Sequence, residues 1–372
     1  MAHAFQTQVT ELLAAADIRV NGDRPWDIRV QNDNFYKRIL SQGSLGLGES
    51  YMDGWWDAPA LDEFFTKILV AELDRKAKYT WQMARAVLSA KLLNPQRRSN
   101  AFEIGERHYD IGNDLYERML DTRMTYTCGY WKDTRNLDEA QDAKLDLVCK
   151  KIGLKSGDRV LDIGCGWGSF AKFAAEKYGA SVVGITVSRE QVERAREICA
   201  GFPIEIRLED YRDVSGQFDK IISLGMFEHV GSKNYHAYME VARRCLTDDG
   251  MFLLHTIGGN RSVASTDPWI GKYIFPNSML PSIAQIGQSI EGLLVMEDWH
   301  NFSADYDKTL MAWFHNFDTR WPEIQKAYGE RFCRMWKYYL LASAGSFRSR
   351  RNQLWQIVLS THGVLGGYTS LR

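Results

Sequence analysis

The fold of this chain is decided by the stretch VLDIGCGWG, residues 160–168. Here an apolar, strand-like run leads through Asp162 to three alternating glycines and then to a helix-forming sequence. Glycine adopts positive φ angles without steric cost, and the N-terminus of the helix that follows is positively polarised. An ordinary tight turn between a strand and a helix does not need three glycines in this spacing. We therefore expect a ligand to bind outside the carboxyl end of this strand.

Strand-like and helix-like segments alternate from this stretch onwards. The strand-like segments are RVLDIGCG, SVVGITV, IEIRLED, FDKIISLG and MFLLHTIG, and the helix-like segments among them are SFAKFAAEKYG, SREQVERAREICAG and NYHAYMEVARRCLTDDG. A further helix-like segment, LDEAQDAKLDLVCKKIGL, precedes them. This alternation predicts an α/β fold with a doubly wound, mostly parallel sheet and helices on both faces.

A second, smaller part precedes this predicted domain. Residues 1–70 are turn-rich and run into a short helix-like segment, LDEFFTKILVAEL. Residues 75–98 then carry seven basic side chains and no acidic one. We place the domain boundary near the C-terminal end of this basic segment, which gives an N-terminal module at 1–95 and a catalytic domain at 96–372.

Composition narrows the class of protein. The formal net charge of −1 lacks the basic excess of a nucleic-acid binder. Six cysteines without a CxxC pair argue against a zinc ribbon or a secreted disulfide framework, so we expect no metal and a reducing cytoplasm. No apolar stretch approaches the roughly 18 residues of a membrane span. Aromatic residues make up 12% of the chain, which hints at an apolar substrate for a soluble or peripheral protein.

The glycine spacing also distinguishes between cofactor classes. The pattern G-x-G-x-G preceded by Asp162 does not match the dinucleotide pattern G-x-G-x-x-G. It resembles the first motif of class I S-adenosylmethionine (SAM) methyltransferases, in which this loop passes under the methionine part of the cofactor. The resemblance implies a Rossmann-like methyltransferase fold. The SAM contacts that it implies are at Asp162, Gly164, Gly166 and Gly168.

The rest of the SAM site departs from that superfamily in one place. In most members the second strand ends in an acidic residue that binds the ribose hydroxyls, whereas VVGITVS (182–188) contains none. Thr186 and Gln191 are the polar groups left in reach of the ribose. Asp210 and Tyr211 end the third strand, where adenine contacts lie in the superfamily.

Nine stretches along the chain carry a more specific resemblance. They are HYDIGNDLYERML (108–120), MTYTCGYW (124–131), VLDIGCGWG (160–168), VVGITVSREQ (182–191), GMFEHVG (225–231), FLLHTIG (252–258), DPWIGKYIFPN (267–277), EDWHNFSADYDKTLMAW (297–313) and FRSRRNQLWQ (347–356). Together they resemble the cyclopropane-fatty-acyl-phospholipid synthases and their relatives that modify mycolic acids. The match runs from about residue 100 to the C-terminus, and the N-terminal extension resembles that of the phospholipid-acting branch.

The resemblance implies transfer of a methyl group from SAM to the cis double bond of an acyl chain in a membrane phospholipid. Loss of a proton from that methyl group then closes a three-membered ring. An isolated alkene is a weak nucleophile, so the site has to be dry and supplied with a base. In the family that base is a bound bicarbonate ion. The positions that match its cradle and the catalytic residues are Cys128, Glu228, His255 and Tyr306, with Ile257 contributing its backbone.

Each of these side chains also has a structural explanation. Taken alone, Cys128 suits a small core residue and His255 a core histidine, and Glu228 suits a helix cap or a surface pair. However, Glu228 and His255 fall at the carboxyl ends of strands in the same predicted sheet as the glycine-rich turn. This convergence favours the catalytic interpretation.

Further residues are assigned by position. Tyr126 and Thr127 match a Tyr-Ser pair that touches the cofactor in the family, and the exchange of Ser for Thr keeps the hydroxyl group. Four aromatic residues either line an acyl tunnel, where their rings would steady a carbocation, or belong to an ordinary core. These four are Trp269, Tyr273, Phe275 and Trp313.

Two basic segments bear on how the chain meets a lipid. Residues 75–98 interleave basic and aromatic side chains, and resemble an interfacial amphipathic helix for anionic headgroups. A solvated helix between domains explains them equally well. The cluster at 331–355 either binds the lipid phosphate or covers the sheet as a helix. We expect peripheral association with the inner face of the cell membrane, and the family suggests a homodimer.

Two other functions stay open at this point. A related enzyme that stops before ring closure would leave a methyl branch or a methylene group on the acyl chain. A non-catalytic lipid-binding protein with a methyltransferase fold is the second alternative. A nucleic-acid or protein methyltransferase is disfavoured, because GMFEHVG (225–231) stands where the Asn/Asp-Pro-Pro-Tyr motif of amino-methylating enzymes would lie.

Overall fold

A computed structural model of the chain describes residues 2–73 and 112–372. The basic segment at 75–98 and the expected domain boundary near residue 95 lie outside these residues, so both stay predictions. In chain order the described helices are α1 (Ala2–Ala14), α2 (Asn34–Gln42), α3 (Ser44–Met52), α4 (Leu61–Val70), α5 (Asn113–Met119), α6 (Leu137–Lys151), α7 (Ser169–Tyr178), α8 (Arg189–Ile198), α9 (Tyr235–Cys245), α10 (Pro268–Tyr273), α11 (Ile283–Ile290), α12 (Ala304–Tyr328) and α13 (Glu330–Arg348). The described strands are β1 (Arg29–Val30), β2 (Trp56–Asp57), β3 (Arg159–Ile163), β4 (Ser181–Thr186), β5 (Ile204–Leu208), β6 (Phe218–Leu224), β7 (Leu246–Gly259), β8 (Val295–Asn301) and β9 (Asn352–Ser360).

The chain folds into two compact units. Of the described residues, the helical unit comprises 2–73, Ala264–Pro276 and Tyr306–Asn352, and the sheet unit comprises 112–263, Asn277–Asp305 and Gln353–Arg372. The contiguous division expected from the sequence did not include the two later segments of the helical unit. Within that unit α13 packs closely against α4. A Cβ atom added to Gly345 would lie only 2.8 Å from the Asp62 carbonyl oxygen. Helices far apart in sequence bury each other here, and no local pattern indicates such a pairing.

The sheet unit is built on seven strands in the order β5-β4-β3-β6-β7-β9-β8. Strand β3 pairs in parallel with both β4 and β6, so that Leu161 lies opposite Val183 on one side and Ile221 on the other. The pairs β4–β5 and β6–β7 are also parallel, whereas β8 and β9 are antiparallel. The predicted, mostly parallel sheet is confirmed. Its strand order reverses between β3 and β6, which places a ligand crevice at their carboxyl ends.

The strands of this sheet are buried because alternate side chains enter two different cores. Val160 packs in a cluster with Val148 of α6 and Phe170 of α7. Its neighbour Leu161 packs in a second cluster with Tyr238 of α9 and with residues of α11. Successive side chains of a strand point to opposite faces of the sheet. The predicted layers of helices on both faces are therefore confirmed.

The last two strands were not expected from the sequence. The cluster at 331–355 was interpreted as a phosphate-binding segment or as one helix, but α13 ends at Arg348 and β9 begins at Asn352. The helix interpretation is therefore wrong for the last residues of the cluster. After its first residue β9 is buried throughout, so it lacks the alternation of polar and apolar residues that marks a half-exposed strand.

An aromatic core stabilises the helical unit. Trp56 is fully buried, donates a hydrogen bond from Nε1 to the Leu47 carbonyl oxygen at 3.0 Å, and has its ring centroid 5.0 Å from that of Phe64. Trp269 is also buried, with its ring centroid 4.4 Å from that of Tyr338. Part of the aromatic excess of the sequence therefore fills this core.

Replacing Gly48 by Ala should destabilise the helical unit. Gly48 lies inside α3 directly against the Trp269 indole, and an added Cβ atom would overlap the ring. Overpacking a filled core costs about 1–3 kcal/mol, so we expect a lower midpoint of urea-induced unfolding. Gly287 in α11 is the matched control, because nothing lies within 4 Å of a Cβ atom added there. Gly287→Ala should be neutral or slightly stabilising, and equal midpoints for the two variants would contradict the packing described here.

Candidate active site

The glycine-rich loop connects β3 to α7 where the strand order reverses. The φ angles are +84° at Gly164, +54° at Gly166 and +84° at Gly168, values that L-residues rarely adopt. A Cβ atom on Gly164 would lie 2.8 Å from the Met226 side chain, and one on Gly168 would lie 2.6 Å from Cys199 Sγ. At Gly166 nothing lies within 4 Å of such an atom. The loop is therefore closely packed on two sides and leaves room for a ligand at Gly166.

A cavity opens beside this loop at the carboxyl ends of β3 to β6. Nine of the ten residues predicted to contact SAM line it, and these are Tyr126, Thr127, Asp162, Gly164, Gly166, Thr186, Gln191, Asp210 and Tyr211. The tenth, Gly168, is not among the lining residues and packs against Cys199 instead. The cavity thus collects segments that are far apart in sequence around one crevice of the sheet.

Two buried charged groups, Asp162 and Lys144, line the cavity. Asp162 Oδ2 has no hydrogen-bond partner among the described residues. Burial raises the pKa of Asp162 to about 8, although the charge of Lys144 opposes this shift. Burial also lowers the pKa of Lys144 to about 8, and its Nζ donates to Thr127 Oγ1 at 2.9 Å. Because a buried acceptor without a partner is costly, Asp162 is suited to accept a hydrogen bond from a ligand.

The opposite side of the cavity is polar. At the end of β4, Thr186 Oγ1 donates to Gln191 Oε1 at 2.7 Å. After β5, Asp210 accepts hydrogen bonds from the backbone N of Arg212 at 3.0 Å and from its Nη1 at 2.8 Å. The Arg212 guanidinium carbon lies 4.6 Å from the centroid of the Tyr211 ring. Hydroxyl, amide and carboxylate groups therefore lie where the sequence predicts the ribose and the adenine.

A second group of polar residues lies where β6 and β7 run side by side. Glu228 follows β6, between the cavity-lining residues Met226 and His229, and its Oε1 accepts from the backbone N of Ile257 at 2.7 Å. The Ile257 N–H group is thus bonded to Glu228, whereas the resemblance assigns the Ile257 backbone to bicarbonate. Burial raises the pKa of Glu228 to about 7, although hydrogen bonding to the Ile257 backbone and to the Thr256 side chain acts in the opposite direction. The other oxygen, Oε2, is buried without a hydrogen-bond partner in the part of the chain that the structure describes.

His255 lies two residues before Ile257 on β7. Burial holds the pKa of His255 well below its usual range, and the charges of Lys144 and Lys151 act in the same direction. The ring is therefore neutral at physiological pH. Its Nδ1 lies 3.4 Å from Gln356 Nε2, whereas its Nε2 is buried with no partner within residues 2–73 and 112–372. Nδ1 therefore has the Gln356 amide as a neighbour, whereas Nε2 is left for a ligand.

Cys128 and Tyr306 complete the predicted set of catalytic residues. Cys128 is fully buried directly after Thr127, whose methyl carbon would lie 2.8 Å from a Cβ atom on Gly225. Tyr306 belongs to the helical unit, near the start of α12, where its ring stacks on Phe347 with centroids 4.4 Å apart. The joint action of Tyr306 with Glu228 and His255 stays a prediction.

The four aromatic residues predicted to line an acyl tunnel all belong to the helical unit. Trp269 and Trp313 are fully buried there. Tyr273 donates from its hydroxyl group to Glu49 Oε1 at 2.9 Å, and the Phe275 ring lies 5.7 Å from that of Tyr339. These contacts fit the alternative of ordinary core aromatics, and the tunnel assignment stays a prediction.

Two buried polar residues near the site, Lys144 and Gln356, were missed by the sequence analysis. Lys144 lies on the buried face of α6 with Leu145 and Val148. Its position within an apolar helical stripe could have indicated a buried lysine. Because lysine is almost never fully buried without a partner, such a position also predicts a polar neighbour. Gln356 gave no signal, since strand β9 itself was not expected.

The chain and its fold are similar to known proteins. A family model described as mycolic acid cyclopropane synthetase matches residues 96–357. A cyclopropane-fatty-acyl-phospholipid synthase of Escherichia coli (strain K12) is 55% identical over 357 residues, which cover 96% of this chain and 93% of that protein. The chain belongs to the mycolic acid cyclopropane synthetase family.

Solved structures extend the comparison to the fold of the cyclopropane synthetase family. A cyclopropane synthase from Mycobacterium tuberculosis is 28% identical with a TM-score of 0.66, covering 70% of this chain and 98% of that chain. A mycolic acid cyclopropane synthase complexed with SAH and CTAB is 31% identical with a TM-score of 0.65, covering 69% and 97%. As a member of the cyclopropane synthetase family, this chain is a methyltransferase-type enzyme that uses SAM. The predicted fold class, enzyme class and methyl donor are confirmed.

Proposed function

We propose that this chain converts cis double bonds in the acyl chains of membrane phospholipids into cyclopropane rings, with SAM as the source of the added carbon. The observation that carries the proposal is a pair of buried polar atoms next to the cofactor cavity, Glu228 Oε2 and His255 Nε2, which have no hydrogen-bond partner among the described residues. The high identity to a relative named cyclopropane-fatty-acyl-phospholipid synthase supports the substrate class.

The chemistry requires a base in a dry site. SAM supplies an activated methyl group when it is bound. The alkene carbon bonds to that methyl carbon, the bond from sulfur to the methyl carbon breaks, and one C–H bond of the new methyl group gives up its electrons as the ring closes. The single proton released must reach a group that the chain holds. Glu228 suits this role, because burial brings the pKa of its carboxyl group to about 7, close to neutral pH.

A bicarbonate ion fits the same open groups. The ion offers oxygen acceptors and one O–H donor, so it needs both an N–H donor and an acceptor from the protein. His255 would donate through Nε2, and Glu228 Oε2 would accept the O–H of the ion. Cys128 and Tyr306 are the further side chains that the family resemblance assigns to it. In this arrangement Glu228 orients the protonated form of the ion and receives the proton that passes through it.

Product analysis tests the proposed activity. Lipids from cells expressing the chain should contain fatty acids whose mass is increased by one CH2 group, and proton NMR should show ring CH2 signals at high field. A methylene group or a methyl branch on the acyl chain would instead support the alternative of a related methyltransferase. Unaltered lipids, with SAM bound by the purified protein, would support the alternative of a non-catalytic lipid-binding protein.

The proposed substrate requires contact with a bilayer. Among the described residues, no helix combines the length and the hydropathy needed to cross one. We assign the contact to residues 75–98, where each basic side chain near an anionic surface contributes about 1 kcal/mol. Replacing Arg75, Lys76 and Lys78 by Glu should therefore lower binding to anionic vesicles at low salt by about 10²-fold in a sedimentation assay.

A matched control separates this segment from general charge. Lys155, Arg320 and Lys326 are exposed basic residues elsewhere in the chain, and replacing all three by Glu gives the same change of net charge. This control should keep most of the vesicle binding. Equal losses in the two triple variants would remove the assignment to residues 75–98.

Localisation and assembly belong to the same proposal. Contact with phospholipid from the reducing side corresponds to peripheral association with the inner face of the cell membrane. A homodimer, which the family resemblance suggests, would bring two such surfaces to one bilayer and increase its avidity. Sedimentation velocity of the full chain measures this state directly.

A further inference from the structure

We propose that Gln356 is a positioning residue for His255: its side-chain amide holds the imidazole in the tautomer that carries the hydrogen on Nε2. Gln356 lies on β9, which neighbours β7 in the sheet, and its side chain is fully buried. Its Nε2 lies 3.4 Å from His255 Nδ1. The importance of this contact for catalysis rests on the proposed function, whereas its effect on the ring does not.

The tautomer of His255 is a real choice because the ring is neutral. A neutral imidazole has a hydrogen on one nitrogen and a lone pair on the other. When an amide N–H group points at Nδ1, that nitrogen has to accept, and the hydrogen is left on Nε2. The buried Nε2–H group is then a donor with no protein partner among the described residues, ready for an anion or another acceptor.

The other groups around the ring do not select the tautomer. The Phe302 ring packs against the imidazole in a T-shaped arrangement, with ring centroids 5.9 Å apart. Lys151, whose charge helps to lower the pKa of His255, has its Nζ 2.9 Å from His300 Nδ1. Lys144 donates to Thr127. Among the described residues, Gln356 is the side chain whose polar atom lies within hydrogen-bond distance of Nδ1, and its Oε1 is buried without a partner there, so the tautomer and the amide orientation are set together.

The two orientations of this amide have opposite consequences. With Nε2 towards the ring, His255 presents an N–H donor at its open nitrogen. With Oε1 towards the ring, Nδ1 would hold the hydrogen, and the open nitrogen would present a lone pair that repels an anion. An imidazole held in the wrong tautomer costs about 10⁴-fold in kcat in serine proteases, so the difference is large enough to decide activity.

Nitrogen NMR of the full chain tests the proposal directly. With ¹⁵N-labelled histidine, and with the His255 signals assigned from a His255→Asn variant, the two ring nitrogens of each histidine are distinguished by chemical shift. We expect the His255 hydrogen on Nε2 in the wild type. A hydrogen on Nδ1 in the wild type would overturn the proposal without any variant at position 356.

Two variants at position 356 make the same test functional. Gln356→Glu keeps the side-chain length but offers Nδ1 a carboxylate acceptor, so the hydrogen should move to Nδ1 and kcat should fall by about 10²-fold or more. The KM values for SAM and phospholipid vesicles should stay nearly unchanged. Gln356→Met removes the donor without adding an acceptor, so a mixture of tautomers and an intermediate kcat are expected.

Gln353 provides the matched control on the same strand. Its Oε1 accepts hydrogen bonds from Asn301 Nδ2 at 3.0 Å and from Ser303 Oγ at 3.2 Å, and a Glu side chain keeps both acceptors. Gln353→Glu should therefore leave the His255 tautomer and kcat unchanged. An unchanged tautomer and kcat in Gln356→Glu would overturn the proposal. The expected tautomers together with a wild type that forms no ring would support the positioning role and contradict the proposed function.

Discussion

Replacing Glu228 by Gln is expected to lower the rate of ring formation by about 10²–10⁴-fold, the usual contribution of a general base. Gln keeps an oxygen that can accept from the Ile257 backbone N, so the 2.7 Å contact that positions the side chain survives. What disappears is the carboxylate oxygen that is buried without a partner among the described residues. The measurement is the single-turnover rate of methyl transfer from labelled SAM into phospholipid vesicles.

Glu240→Gln is the matched control for this variant. Glu240 is an exposed carboxylate on α9 in the same unit, and its Oε1 lies 3.6 Å from Nε2 of the exposed His236. Its replacement should leave the rate unchanged. Glu228→Gln should also bind SAM as tightly as the wild type in calorimetry. A Glu228→Gln rate close to that of the wild type would show that another group takes the proton.

The Glu228 carboxyl group also predicts a pH dependence. Because burial raises the pKa of Glu228 to about 7, the rate should rise as pH increases through this value and then level off. Stability should change in the opposite direction. The folded protein keeps this proton at pH values where the unfolded chain has released it, so stability falls as pH rises from the ordinary Glu range to about 7. Glu228→Gln should therefore lose the pH step in the rate and unfold at a higher temperature than the wild type above neutral pH.

Replacing Asp162 by Asn is expected to weaken SAM binding by about 10–100-fold, since a hydrogen bond to a charged group contributes about 1.5–3 kcal/mol. Asp162 is the penultimate residue of β3 and lines the cavity, and its buried Oδ2 lacks a partner in the described parts of the chain. Burial raises the pKa of Asp162 to about 8, so SAM, which carries positive charge, should bind more tightly as pH rises through this value. Titration calorimetry with SAM measures both effects.

Asp249→Asn is the control for the SAM titration. Asp249 is exposed within β7 and does not line the cavity, so its loss should leave the affinity for SAM and its pH dependence unchanged. If Asp162→Asn binds SAM like the wild type, the glycine-rich loop is not the methionine side of the cofactor site.

The parts of the fold that the sequence predicted are those in which local pattern and tertiary role agree. Apart from Asp162, the run from Val160 to Ile163 is apolar because it is buried between two layers of helices, and the glycines after it are needed for positive φ. Local signals therefore indicated both the sheet and the cofactor loop. Thr186 and Gln191, which the sequence assigns to the ribose, both line the cavity, and the structure adds that Thr186 Oγ1 donates to Gln191 Oε1.

What the sequence did not predict depends on long-range packing. Strand β9 is buried after its first residue and shows no alternation, so Gln356 could not be placed beside His255 before the fold was known. Lys144 was given no role from the sequence, and the structure places its Nζ 2.9 Å from Thr127 Oγ1. In the helical unit Trp269 packs against Gly48, and no local sequence pattern indicates a contact between residues so far apart in the chain. Contacts between polar residues on different elements could therefore be identified only from the structure.

We expect a SAM-derived carbon to become a ring CH2 group in an intact phospholipid. The most direct test incubates the purified full chain with vesicles of a cis-unsaturated phospholipid and ¹³C-methyl SAM, followed by carbon NMR of the extracted lipid. We predict that the label appears in a cyclopropane CH2 group of an esterified acyl chain. Label in a methyl branch or an exocyclic methylene group, or no label in the lipid, would overturn the proposed function.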